Sequence, residues 1–280
     1  MEKFKTIFLM GVMILLFMFC GFLIGGQNGL FIALIMALIT NFISYFFSDK
    51  IVLKHYNAVE VSRQNAKGLY NIVEKLCEIG NLPMPKIYII NEPVPNAFAT
   101  GRNPQNAAVA VNTGLLDLMS EEEVEGVIAH ELSHIRHYDI LISTIAAVFA
   151  GAIATIASIA KFGTILGNSN QNRTNSFIII IAAIIMPIAA SVIQMAISRN
   201  REFLADEGSA RLTGHPEYLI SGLLKLENFS KQKVMQNATP QTSHMFIINP
   251  FNGVKSSFLG LFRTHPTTEQ RIERLKNLSF

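Results

Sequence analysis

The sequence predicts a mainly α-helical membrane protein, with four spanning helices set around the two halves of a smaller α+β domain. Half of the 280 residues are hydrophobic and only 15% are charged, against roughly 25% charged in an ordinary soluble chain. Four apolar runs approach the roughly 20 residues that cross about 30 Å of hydrocarbon. Between and after them lie polar stretches with their own helix and strand signals, which divide the chain into 1–48, 49–139, 140–198 and 199–280.

The first run, Ile7 to Ile24, and the second, Gly29 to Phe47, are joined by a turn without charge over Gly25 to Asn28. Lys3 and Lys5 precede the first run as they would in a secretory signal. No small-residue cleavage site follows and a second run comes at once, so both are read as retained spans. Lys50, Lys54, Arg63 and Lys67 follow the second run, and the positive-inside rule then places the N-terminus and the polar domain in the cytoplasm. The third and fourth runs, about Ile140 to Ala160 and Phe177 to Ile197, are rich in Ala, Gly and Ser and hold no acidic residue. Small residues suit helix packing in a bilayer, although a buried soluble hairpin would share them. Pro187 kinks the fourth run without abolishing it, because neighbouring helices satisfy the freed carbonyl.

A net charge of +3 without a polybasic block excludes nucleic acid as a partner and leaves the lipid bilayer. Cys20 and Cys77 suggest neither a disulfide framework nor a cysteine metal site. The spans lack the acidic or basic residues at mid-membrane that mark a transport path, and Asn41 in the second run reads as a helix-packing group. In the polar stretches, Arg63 to Ile79 carries apolar residues at helical spacing, while Lys86 to Ile90 and Ala107 to Val111 are β-prone runs between turn residues.

Ser120-Glu121-Glu122-Glu123 is a capping box that opens a helix, and Val124, Val127, Ile128, Leu132 and Ile135 continue its apolar stripe. That helix carries His130-Glu131-Leu132-Ser133-His134. Residues four apart stack one turn above each other, so His130 and His134 offer two imidazoles to one ion, with Glu131 on the adjoining surface. Zinc held there polarises a scissile carbonyl and acidifies water, and a carboxylate beside it serves as general base. A structural zinc site, by contrast, has no need of such a carboxylate and prefers a closed shell rich in Cys.

A catalytic zinc takes three protein ligands and keeps one position open. His137 projects from nearly the same face as His130, but seven residues of continuous helix separate them by roughly 10.5 Å along the axis. It is out of reach. The position for a later ligand of the metzincin pattern is Ile140, so that pattern is absent. The third ligand must come from another helix. Just past the fourth run, Glu202 and Asp206 are four apart and share a face; one such carboxylate can bind a metal while the other orients an imidazole.

The motifs H-E-L-S-H and R-E-F-L-A-D, with P-N-A-F-A-T-G upstream and H-P-T-T-E-Q-R-I near the end, resemble those of the HtpX-type membrane zinc endopeptidases, bacterial relatives of the CAAX prenyl endopeptidases. The resemblance covers essentially the whole chain and rests on the order of four motifs. It implies one Zn2+ per subunit held by His130, His134 and Glu202, with Asp206 as the partner of a ligating imidazole. It also implies a gluzincin-like catalytic domain on the cytoplasmic side of a multi-pass bacterial inner-membrane protein. The implied role is quality control in a stress response, with misfolded or damaged membrane proteins as substrates. A processing enzyme of CAAX type with a narrow substrate is the alternative.

Two further candidates are open. Asn96 follows Pro95 in an extended stretch, where its amide either bonds a substrate backbone or makes a turn. His265, before Pro266, either donates to the oxyanion, as the resemblance suggests, or caps the helix from Thr267 to Leu275. His134 lies about six residues before the third run and Glu202 about five after the fourth. At about 1.5 Å per residue, the metal site is expected roughly 10 Å from the hydrocarbon boundary.

Overall fold

A computed structural model describes residues 2–145, 199–232, 247 and 266–278. The third apolar run beyond 145, the whole fourth run, the loop between them and His265 lie outside the described residues.

The helical run α1 occupies Glu2–His55, but it is not one rod. At Gly26 φ is 57°, a left-handed conformation that glycine takes without steric cost, and the chain reverses. The two arms lie side by side, with Asn41 Nδ2 donating to Met10 O at 3.4 Å and to Ala37 O at 3.0 Å. Asn41 is thus a packing group between the arms. Where Gly21 meets Gly29 the backbones touch so closely that no Cβ fits on either. Leu9 and Met13 of the first arm and Ser44 and Ser48 of the second are buried, while Phe31, Ile35, Phe42 and Phe46 are exposed. An apolar face of that size calls for lipid or another protein. Of the two expected N-terminal spans, the second is seen as Gly26–His55, long and apolar enough to cross a membrane, and the first as the shorter apolar helix Thr6–Phe19.

Four strands follow in the spatial order β1-β2-β4-β3. They are β1 (Val59–Val61), β2 (Lys86–Ile90), β3 (Ala97–Gly101) and β4 (Ala107–Asn112). β2 and β4 pair in parallel, and β1 and β3 flank them antiparallel. β4 is buried along its whole length because successive side chains point to opposite faces. Val109 and Val111 enter the main core, and Ala108 and Ala110 enter a smaller cluster with Val52 and Leu53 from the end of α1. The sheet is thereby fixed to the apolar hairpin. The two strands legible in the sequence are β2 and β4. The others are a three-residue strand and Ala-Phe-Ala-Thr-Gly, whose β-propensity is low and which is held by its register against β4, Ala97 opposite Val111.

Helices α2 (Lys67–Gly80), α3 (Thr113–Leu118) and α4 (Glu121–Arg136) complete the first half, and α5 (Arg199–Thr213), α6 (Pro216–Gln232) and α7 (Thr268–Lys276) the second. α4 is central, in contact with α2, α5, α6 and β3. Val127, Ile128, Ala129 and Leu132 on it have no exposed surface. Two glycines set how near its neighbours come. A Cβ on Gly126 would lie 2.6 Å from Leu219 N in α6, and one on Gly208 of α5 would overlap Ser133 Oγ. The approach is locked by Ser209 Oγ, which donates to Gly126 O at 2.7 Å.

In an open helix Gly→Ala stabilises by about 1 kcal/mol. At Gly126 the sign should reverse, because an overpacked contact with backbone costs roughly 1–3 kcal/mol. Thermal melting of Gly126→Ala is expected below that of the parent, while Gly68→Ala, whose Cβ meets only a Glu121 carboxylate oxygen at 3.9 Å, should melt at or slightly above it. Equal melting of the two variants would contradict this packing.

Candidate metal centre

α4 begins where the sequence puts it. Ser120 Oγ accepts from Glu123 N at 3.4 Å, and Glu123 Oε2 accepts from Ser120 N at 2.8 Å. The other end of this box reaches α6, since Glu123 also accepts from Ser221 Oγ at 2.6 Å and Lys225 Nζ at 2.7 Å. Burial alone would raise the Glu123 pKa, but these donors outweigh it and hold the carboxyl below its ordinary value. The cap therefore orients the whole helix on its neighbour.

Two turns on, the imidazoles converge. His130 Nε2 and His134 Nε2 are 3.2 Å apart. Glu202, carried in on α5, places Oε1 3.6 Å from His134 Nε2 and Oε2 3.7 Å from His130 Nε2. A tetrahedral ion with bonds of about 2.0–2.1 Å sets its donors about 3.4 Å apart. The three side chains therefore fit such an ion and form a group able to hold a metal. His130 and Glu202 are buried and His134 is partly buried.

Each imidazole has its own carboxylate, and each carboxylate its own arginine. His130 Nδ1 lies 3.0 Å from Asp206 Oδ1. Asp206 accepts from Arg271 Nη2 at 2.6 Å and Nε at 2.8 Å, a two-pronged pairing that only a guanidinium makes. His134 Nδ1 lies 3.2 Å from Asp139 Oδ2, whose other oxygen is 3.6 Å from Arg201 Nη1. Holding a proton on Nδ1 turns the Nε2 lone pair toward the third partner. Burial pushes the Asp206 pKa up, but Arg271 and His130 hold it below the ordinary range. Burial likewise pushes His134 down. The Asp139 bond and the charges of Glu202 and Glu131 reverse this and bring it up to about 9.

Glu131 sits beside the group and is also buried. Its Oε2 accepts the Ala99 N–H of β3 at 2.9 Å. Burial raises its pKa, with the Glu202 charge adding to the effect and the two imidazoles opposing it. His137 is the C-cap of α4 and is exposed, away from the site.

Asn96 stands at the entry to β3. It is buried, and its Oδ1 accepts from Ile247 N at 3.3 Å while its carbonyl accepts from Asn112 N at 2.9 Å. It ties the start of β3 to Ile247. The N-cap of α7 is Thr267, which forms a capping box with Gln270; His265 itself lies outside the described residues.

Sequence reasoning missed Asp139 and Arg271. Arg271 is only 1% exposed, and its Nη1 donates to Ile247 O at 2.7 Å. A signal existed for it. Thr268, Arg271 and Leu275 form the buried stripe of an otherwise polar helix, and an arginine in such a stripe needs a buried anion. Asp139 is the one acidic residue between the H-E-x-x-H helix and the third apolar run, within reach of the second histidine.

Residues 63–279 match peptidase family M48. The chain is 63% identical to a protein named Protease HtpX homolog from Campylobacter hominis over 278 residues, covering 99% of each. It is 57% identical to the protein of the same name from Sulfurovum sp., covering 99% of this chain and 100% of that one. The one from Pyrococcus furiosus is 51% identical over 261 residues, 92% of this chain and 90% of that protein. Among solved structures, the crystal structure of S. mikatae Ste24p matches with a TM-score of 0.53 at 15% identity. It covers 98% of this chain and 65% of the Ste24p chain, a likeness of fold alone.

Removing Asp206 should loosen the His130 imidazole, so Asp206→Ala is expected to lower metal affinity about 10 to 100-fold, as measured by chelator competition. His137→Ala should bind metal as the parent does. The pH dependence has a definite sign. Below about 9 a proton occupies His134 in the metal-free site and must leave on binding, so affinity should rise about tenfold per pH unit and level off above that value. An affinity flat with pH would show that no proton leaves His134 on binding.

Proposed function

The chain belongs to peptidase family M48 and is a metalloprotease, and we propose that it is a zinc endopeptidase of a bacterial inner membrane, cutting misfolded or damaged membrane proteins at cytoplasmic segments near their spans under stress. The observation that carries the reading is the near-tetrahedral spacing of His130, His134 and Glu202, with the buried Glu131 beside them. In this assignment those three are the ligands and Glu131 is the general base. Zinc supplies Lewis acidity toward a carbonyl and a lowered pKa for water.

The remaining chemistry belongs to the chain. Glu131 takes a proton from the attacking water and returns it to the leaving amine, and its raised pKa suits a group that must hold the proton between the two steps. Ala99 N–H fixes one carboxylate oxygen and leaves the other to act. Asp206 and Asp139 keep both imidazoles in the tautomer that presents Nε2. His265 is retained as a candidate donor to the oxyanion.

The sheet supports a mode of substrate binding. Among the described residues β3 pairs only with β4, and its Ala99 N–H points away from β4 toward Glu131. An extended peptide added along that edge would cross the face of the metal group, with main-chain bonds giving affinity for unfolded segments of any sequence. Closeness to the membrane is supported by the joining of β4 to the end of α1 and by the apolar helix Gly26–His55.

Glu131→Gln is expected to keep its metal and lose at least about 100-fold in hydrolysis, the usual scale of a lost general base; Glu202→Ala should lose both. Wild-type rates in Glu131→Gln would end this assignment. In proteoliposomes, a single cleavable segment moved stepwise away from a substrate's spanning helix should be cut progressively less. Cleavage indifferent to that distance, or a catalytic part labelled from outside the cell, would end the membrane-proximal reading.

A further inference from the structure

We propose that the cavity between the α1 hairpin, the loop after β3 and the turn after α4 binds the phosphodiester headgroup of a phospholipid, an inference that rests on the membrane reading above. The cavity has a volume of about 340 Å³ and two unlike walls. One is polar, built from Arg102, Asn103, Gln105, Tyr45 and Tyr138; the other is apolar, from Ile7, Met10 and Leu141. Among the described residues Arg102 is the only charged group in the lining, and no carboxylate faces it there.

The arginine is held for this purpose. Its guanidinium lies 5.5 Å from the centre of the Phe46 ring, and one arm donates to Asn106 Oδ1 at 3.3 Å. Arg102 lines the cavity together with Asn103 and Gln105. A phosphodiester is singly charged, accepts several hydrogen bonds and pairs with arginine through two parallel N–H groups. An apolar wall beside it, leading to Ile7 at 69% exposure, matches an acyl chain and not a free inorganic anion.

The level in the membrane agrees. Twenty residues from Gly26, at about 1.5 Å each, cover the roughly 30 Å of hydrocarbon and end at Tyr45. Tyrosines at that level form the interfacial belt, where an amphipathic ring has one end apolar and one end wet. Tyr138 at the other side of the cavity holds φ at 63°, a conformation that costs a bulky residue energy and persists only where its surroundings over-determine it. It is joined directly to Asp139, which holds His134. A headgroup seated here therefore braces the turn between the membrane and the metal group.

The test uses the full chain purified in detergent, delipidated, then titrated with phosphatidylglycerol and counted by native mass spectrometry. Wild type should retain one phospholipid, Arg102→Lys should hold it less tightly for want of the two parallel N–H groups, and Arg102→Gln, with unchanged melting, should hold it about tenfold less tightly than wild type or worse, as loss of a charge-assisted pair implies. Excess inorganic phosphate should not displace it. Equal retention in Arg102→Gln, or no retained lipid in a wild type that fractionates with membranes, would overturn the proposal alone. Displacement by inorganic phosphate would make the site one for a free anion and overturn it as well. A wild type that does not fractionate with membranes would overturn this inference and the membrane reading together.

Discussion

The structure depends on concentrating buried negative charge around two histidines. Glu131, Asp139, Glu202 and Asp206 are all buried within one small volume, and among the described residues Arg201 and Arg271 are the buried cations beside them. Burying unpaired carboxylates is prohibitive. The two arginines and a proton on His134 oppose this charge in the metal-free site, and a divalent cation bound there would take the place of that proton. The Asp139 bond and the charges of Glu202 and Glu131 bring His134 up to about 9, and burial raises the Glu131 pKa. A metal held by this group would thus enter the folded state's charge balance as well as its chemistry.

Every element around the group can be understood as keeping those charges in place. α4 supplies both imidazoles and Glu131 from one face, and its capping box is tied to α6 through Lys225 and Ser221. α5 brings Glu202 and Asp206 from adjacent turns of a second helix, and Gly208 lets its backbone come near enough to α4 for them to reach. α7 contributes little apolar surface of its own. Its place is fixed by Arg271, which links Asp206 to Ile247 O, while Ile247 N is held by Asn96 at the start of β3. The orientation of the His130 imidazole and the position of the β3 edge are thereby joined in one hydrogen-bonded network.

The other face of the sheet meets the α1 hairpin, so the membrane-directed part and the chemical part share a wall. Ala108, Ala110 and Phe98 pack on Val52 and Leu53, and Tyr138 leads from the end of α4 toward the third apolar run. The nearness of these two parts is set by packing and needs no flexible tether.

What the sequence by itself determined is whatever depends on neighbours within a few helical turns. The capping box at Ser120, the pairing of His130 with His134, the place of Glu131, and the shared face of Glu202 and Asp206 all follow from 3.6-residue periodicity, and the structure brings these five side chains together. β2 and β4 were legible because continuous apolar runs between turn residues suit a strand buried on both faces. What only the tertiary structure decided lies at long separation. β3 was not legible as a strand, since Ala-Phe-Ala-Thr-Gly becomes one only through its partner. The role of Asn96 depended on Ile247, 151 residues away, and that of Arg271 on Asp206 and His130, 65 and 141 residues away. Local chemistry can announce that a charge will be buried, but which opposite charge meets it is settled by packing, because that choice is made between segments that share no sequence periodicity.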